Sequence, residues 1–156
     1  MAFSSIPVRT NGQQVFASWF NALRTAGIGS GGWEKFTVTH TQLQAAALTN
    51  DIELFSLAAQ EIVTGVVIKH SIAFAGTGIT DYDLSVGITG DLDKYALSFD
   101  VDQAVTDSTF ETNSLVDMES FASATSVKIS ATSVGANLDQ STAGSVDIWI
   151  NRSLLP

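Results

Sequence analysis

The sequence predicts a mainly β protein: an antiparallel β-sandwich, jelly-roll-like and of about eight strands, preceded by one N-terminal amphipathic helix. Three observations predict it. From Phe36 onward apolar and polar residues alternate with a period of two. Glycine-bearing turn signals separate these runs at Gly76-Thr77-Gly78, Gly90-Asp91 and Gly135-Ala136-Asn137. Upstream the period is 3.6, and Gly27-Ile28-Gly29-Ser30-Gly31-Gly32, with four glycines in six residues, marks the change. The expected division is 1–32, an anchor helix with its hinge, and 33–156, the β head.

The helix is read from Val15, Phe16, Trp19, Phe20 and Leu23, which fall at i, i+1, i+4, i+5 and i+8. Thr10 or Asn11 caps its start, with Gln13 or Gln14 placed to complete a capping box. Pro7 lies upstream and Gly27 supplies the stop. A lone helix this short is marginal in water, so its aromatic stripe must be buried elsewhere. It packs on its own domain or docks against other copies or another protein, and the glycine hinge favours docking.

The strands follow in order. Phe36 and Val38 alternate with threonines. Val66, Ile68, His70, Ile72 and Phe74 share one face of the longest run. Leu84, Val86 and Ile88 share another, as do Tyr95, Leu97, Phe99 and Val101. Val127, Ile129 and Ala131 form the next, and Val146, Ile148 and Ile150 the last. Weaker strands are expected at Asp51–Leu57 and Phe110–Met118, and one short helix within Gln42–Leu48. One apolar and one polar face per run is the pattern of antiparallel sheet with a wet side.

Composition mostly excludes functions. The chain has 156 residues, and 45% of them are hydrophobic. With a mean hydropathy of +0.23 it has the apolar content of a folded domain. Seven cations face 16 anions, giving a net charge of −9. Residues 1–35 carry +2 and residues 36–156 carry −11. The cations are scattered singly, which argues against nucleic acid and anionic membranes as partners. There is no cysteine, so disulfides, thiolate metal sites and cysteine nucleophiles are out. No secretory signal and no membrane-length apolar run is present, and synthesis in the cytosol is expected.

The chemistry-bearing candidates are few. Asp81/Asp83, Asp91/Asp93 and Asp100/Asp102 are three D-x-D pairs, each able to turn two carboxylates to one cation such as calcium. Turn formation and solubility account for them more simply, and no metal or cofactor is expected. The same pairs are weak candidates for glycoside hydrolysis. His70 reads as a core histidine, and His40 as a polar-face residue without a partner. No nucleophile, phosphate-loop or zinc motif occurs, so no catalytic residue is assigned and no enzyme is expected. Trp33 and Trp149 are the remaining aromatics of interest. Trp149 is read as outward-facing, as a ligand platform or, preferably, a subunit contact.

The segments Ser5-Ile6-Pro7-Val8-Arg9-Thr10-Asn11-Gly12-Gln13 and Ala17-Ser18-Trp19-Phe20-Asn21-Ala22-Leu23-Arg24 resemble the N-termini of tailed-bacteriophage fibre-like virion proteins. Ser85-Val86-Gly87-Ile88-Thr89-Gly90-Asp91-Leu92-Asp93-Lys94-Tyr95 is similar to a segment of small β domains in phage fibre and decoration proteins. Ala143-Gly144-Ser145-Val146-Asp147-Ile148-Trp149-Ile150 has the same character. The resemblance implies a non-enzymatic virion part with an N-terminal attachment segment and a sandwich head. It implies a homotrimer whose partners are other tail or capsid proteins, and a host-surface glycan is a further expected partner. The attachment or oligomer interface would then be Val15, Phe16, Trp19, Phe20, Leu23 and Trp149. A tail fibre or adaptor is the first expectation. A capsid decoration protein and a carbohydrate-binding sandwich module are the alternatives.

Overall fold

The computed structural model describes residues 32–103, 110–111 and 119–155. The expected N-terminal helix with its stripe Val15, Phe16, Trp19, Phe20 and Leu23, and most of the glycine hinge, lie outside the described residues. Two four-stranded antiparallel sheets make up the rest. The strands are β1 (Trp33–Thr39), β2 (Thr49–Leu57), β3 (Glu61–Gly76), β4 (Asp81–Ile88), β5 (Asp91–Asp100), the two-residue β6 (Phe110–Glu111), β7 (Thr125–Val134) and β8 (Ser141–Leu154). One sheet has the order β1-β8-β3-β6 and the other β2-β7-β4-β5. The first strand therefore pairs the last, the second the seventh, the third the sixth, and the fourth the fifth. Most of these pairings join residues far apart in the sequence.

The core lies between the sheets, where alternation places it. Val38, Val66, Ile68, Val146, Ile148 and Ile150 enter from the first sheet. Leu84, Val86, Val127, Ile129 and Ala131 enter from the second. Aromatic pairs cross the gap: Phe36 stacks on Phe55 with centroids 5.2 Å apart, and Phe74 meets Tyr82 at 4.8 Å. Burial pushes the Tyr82 phenol up to about 12, only partly offset by Ser141 beside it. At one end Arg152 lies over the Phe55 ring at 4.9 Å and reaches Glu34 at 2.6 Å and Glu61 at 3.6 Å.

Three expectations change. Alternation places Ile72 inward, but it is 55% exposed. The β3–β8 register shifts between His70 and Ile72, and the extra residue carries Ile72 to the outer face. Leu97 is 57% exposed for the same reason, because the β4–β5 register shifts between Leu84 and Val86. The helix expected within Gln42–Leu48 is instead α1 (His40–Leu43). Its entry is fixed by the Thr39 N–H donating to Gln42 Oε1 at 2.8 Å. It ends at Leu43, where Gln44 turns extended with ψ of 134° and its Nε2 donates to the Ser141 carbonyl at 2.9 Å; beyond it the Ala45 and Ala47 carbonyls accept from the N–H groups of Asp139 and Leu138. Of Phe110–Met118, the first two residues form β6 and 112–118 lie outside the described residues. The turn glycines are as read: Gly78, Gly90 and Gly135 all have positive φ.

Candidate functional site

Two surfaces of the sandwich collect the residues singled out in the sequence. The first is the outer face of the β1-β8-β3 sheet. Register sets Trp33, Lys35 and Thr37 of β1 against Asn151, Trp149 and Asp147 of β8, and these against Gly65, Val67 and Lys69 of β3. All nine alternate with the core positions, so the eight side chains, with Gly65 contributing none, share the solvent side. Trp149 faces outward, as read, but it is half-buried: the Lys35 ammonium sits over its ring at 5.3 Å. Lys35 also pairs with Asp147 at 2.9 Å, and Thr37 Oγ1 donates to Asp147 Oδ1 at 2.6 Å. Burial works against ionisation of Asp147, but Thr37, Lys35 and Lys69 outweigh it and hold its carboxyl below the usual range.

The second surface is acidic. β4 and β5 run antiparallel with Asp83 opposite Asp100, which brings the first and third D-x-D pairs together. Carboxylate oxygens of Asp81, Asp100 and Asp102 lie within 4.8 Å of one another. Asp91 and Asp93 stand at the other end of β5, where Lys94 Nζ approaches Asp91 at 3.9 Å and Glu119 at 3.0 Å. Sequence spacing showed the pairs but not which two would meet, because that depends on the β4–β5 register. Three carboxylates meet part of the oxygen requirement of a calcium ion, which takes six to eight ligands.

The chain itself ties this cluster together. The Asp102 N–H donates to Asp100 Oδ1 at 3.0 Å, and Gln103 Nε2 donates to Asp100 Oδ2 at 2.5 Å. Burial opposes ionisation of Asp100, but these bonds prevail and its pKa is lowered. Asp102 moves the other way, up to about 6: its side-chain bond to Asp100 favours the protonated form, and burial and the charges of Asp100, Asp81 and Asp83 add to it. Burial and the nearby Asp81 also raise Asp83, against a bond from Ser98.

A carboxyl whose pKa rises on folding holds its proton more tightly in the folded chain. Asp102 therefore supports the fold fully below its unfolded value of 3.8, and that support fades as pH climbs through about 6. Asp102→Asn, which keeps a neutral hydrogen-bonding group, is expected to raise the melting temperature at pH 7.5 and to leave it unchanged near pH 4. Asp100→Asn is expected to lower it at pH 7.5, because the carboxylate that accepts both bonds is lost. Thermal melts across that pH range read both signs.

The histidines are placed as structural groups. His70 is buried in the core, as read. His40 is half-buried, and its Nδ1 lies 3.4 Å from the Gly144 carbonyl, so the expectation of no partner does not hold. One feature had no sequence signal: Trp33 lies over Gly65, 32 residues away in the chain, and only the β1-β8-β3 register brings them together.

Fold and surfaces together define a small two-sheet β-sandwich with one aromatic outer face and one acidic patch. No protein-family model matches the chain, and no curated protein sequence matches it. Its fold is similar to that of a chain in the cyanophage Pam1 capsid asymmetric unit, with a TM-score of 0.52 and 22% sequence identity. The likeness covers 81% of this chain and 89% of that one. At that identity it establishes the shared fold.

Proposed function

We propose that this chain is a structural protein of a bacteriophage virion, a small jelly-roll domain carried on the capsid surface. The strand pairs β1–β8, β2–β7, β3–β6 and β4–β5 are those of a double strand rolled into two sheets, the jelly-roll arrangement. The observation that carries the reading is the fold shared with a chain of the cyanophage capsid unit over most of both lengths. That likeness supports a capsid decoration role, which we take as the first reading in place of the tail fibre or adaptor expected from the sequence. The fibre role remains the second reading, favoured by the resemblance of Ser5–Gln13 and Ala17–Arg24. In either role the protein acts by binding and not by catalysis. It assembles as a homotrimer through Val15, Phe16, Trp19, Phe20 and Leu23, and Trp149 belongs to the displayed head.

Copy number separates the two roles, because it follows particle symmetry. Densitometry of purified virions of the encoding phage is expected to give on the order of hundreds of copies per particle. About a dozen copies would assign the chain to the tail, and absence from the particle would end both readings.

A further inference from the structure

We propose that the corner where β5 leaves the second sheet is a proton-operated latch: with a proton among its acids it holds β5 against β3, and fully charged it opens while the rest of the sandwich stays folded. The latch is a pair of backbone bonds. The Val101 N–H donates to the Tyr82 carbonyl of β4 at 2.9 Å, and the Val101 carbonyl accepts from the Phe74 N–H of β3 at 2.8 Å. β4 belongs to one sheet and β3 to the other, so Val101 joins the two. Val101, Tyr82 and Phe74 are all fully buried.

Aspartates flank the Val101–Tyr82 bond on every side. Asp81 and Asp83 precede and follow Tyr82, and Asp100 and Asp102 precede and follow Val101. All four are half-buried. Oxygens of Asp81, Asp100 and Asp102 lie within 4.8 Å of one another, and Asp83 stands opposite Asp100. Like charges this close, each one residue from an end of the bond, push its two strands apart.

The described groups that face these acids are neutral. β7 sets Thr132 opposite Asp83 and Val134 opposite Asp81. Ser98 bonds Asp83, Gln103 bonds Asp100, and β3 contributes Phe74. The cations on the adjoining strands are placed elsewhere. Lys94 pairs with Asp91 and Glu119, Lys128 stands opposite Gly87, and Lys69 stands opposite Asp147. His70 is buried four residues before Phe74. A proton is therefore what relieves the repulsion. Both oxygens of Asp100 already accept bonds, from the Asp102 N–H and from Gln103 Nε2, which keeps that carboxylate charged and directs the proton to Asp102. The upward shift of Asp102 agrees with this geometry. Opening stays local, because the Phe74–Tyr82 ring contact and the strand ladders do not depend on these charges.

Amide exchange followed by NMR on the full chain, with a chelator present so that only protons neutralise the acids, tests the proposal. Between pH 4.5 and pH 7.5, protection corrected for the intrinsic exchange rate is expected to fall about tenfold at Val101 and Phe74. It should hold within about twofold at Ile148 in β8 and at Leu138, whose N–H donates to the Ala47 carbonyl. Asp102→Asn should keep Val101 and Phe74 protected at pH 7.5, and Asp139→Asn, an acid outside the cluster, should leave the fall as in the wild type. Equal protection at both pH values overturns the proposal. So does a fall shared equally by Ile148 and Leu138, which would be a loss of global stability, or a fall that persists in Asp102→Asn. The virion reading is tested separately, since none of these results bears on copy number.

Discussion

Gly144→Ala is expected to lower the melting temperature by about 10 °C. Gly144 has φ of +139°, a conformation that side chains rarely adopt, so part of the cost is backbone strain. The rest is steric. A Cβ there would run into the Phe74 ring, which is fully buried and packed on Tyr82. Strain and overpacking together come to about 4 kcal/mol. The two parts separate experimentally. Shrinking the ring with Phe74→Leu opens room for the new methyl but leaves the strain, so the double variant should lose less than the two single losses combined. A cycle of thermal melts measures the difference. Strict additivity would mean that strain alone carries the effect.

The same site shows what the sequence makes legible. Ala143-Gly144-Ser145 precedes the clear alternation Val146, Ile148, Ile150, and all three of those residues are buried. Alternation also finds the inner faces of β4 and β7 without error at Leu84, Val86, Val127 and Ile129. It fails at Ile72 and Leu97, where one extra residue in a strand reverses the face, and nothing in a period-two pattern announces the insertion. The short helix is misjudged at its end because the chain beyond Leu43 is extended and bonds to residues about 90 positions later. Pairing between distant strands explains both surface sites as well. The D-x-D spacing is visible in the chain, but the meeting of Asp81 with Asp100 and Asp102 follows from the β4–β5 register. Trp33 and Gly65 carry no mark of each other at all. Local pattern thus reports which face a residue takes, and cross-strand register decides whom it meets.

Gly87→Ala tests that dependence directly, and a loss of about 3 kcal/mol, or about 8 °C, is expected. Gly87 is buried on β4, and the atoms a Cβ would strike are backbone: the Asp91 carbonyl oxygen and the carbonyl of Leu92. β5 crosses β4 closely here because the register shifts between Val86 and Ile88, with Ala96 opposite the first and Asp91 opposite the second. The clash at Gly144 is relieved by trimming a ring, but no side-chain change nearby relieves this one, so β5 itself must move. β5 also carries Asp100, with Asp102 just beyond its end, while Asp81 belongs to β4. A displaced β5 draws the acids apart and weakens the repulsion and hydrogen bond that hold Asp102 protonated. The gain from Asp102→Asn at pH 7.5 should therefore shrink in the Gly87→Ala background, although residues 87 and 102 have no contact described between them. If the gain is the same in both backgrounds, the first half of β5, residues 91–96, absorbs the displacement and the acidic cluster is insulated from it. The outcome decides whether the β4–β5 hairpin behaves as one rigid unit or as two.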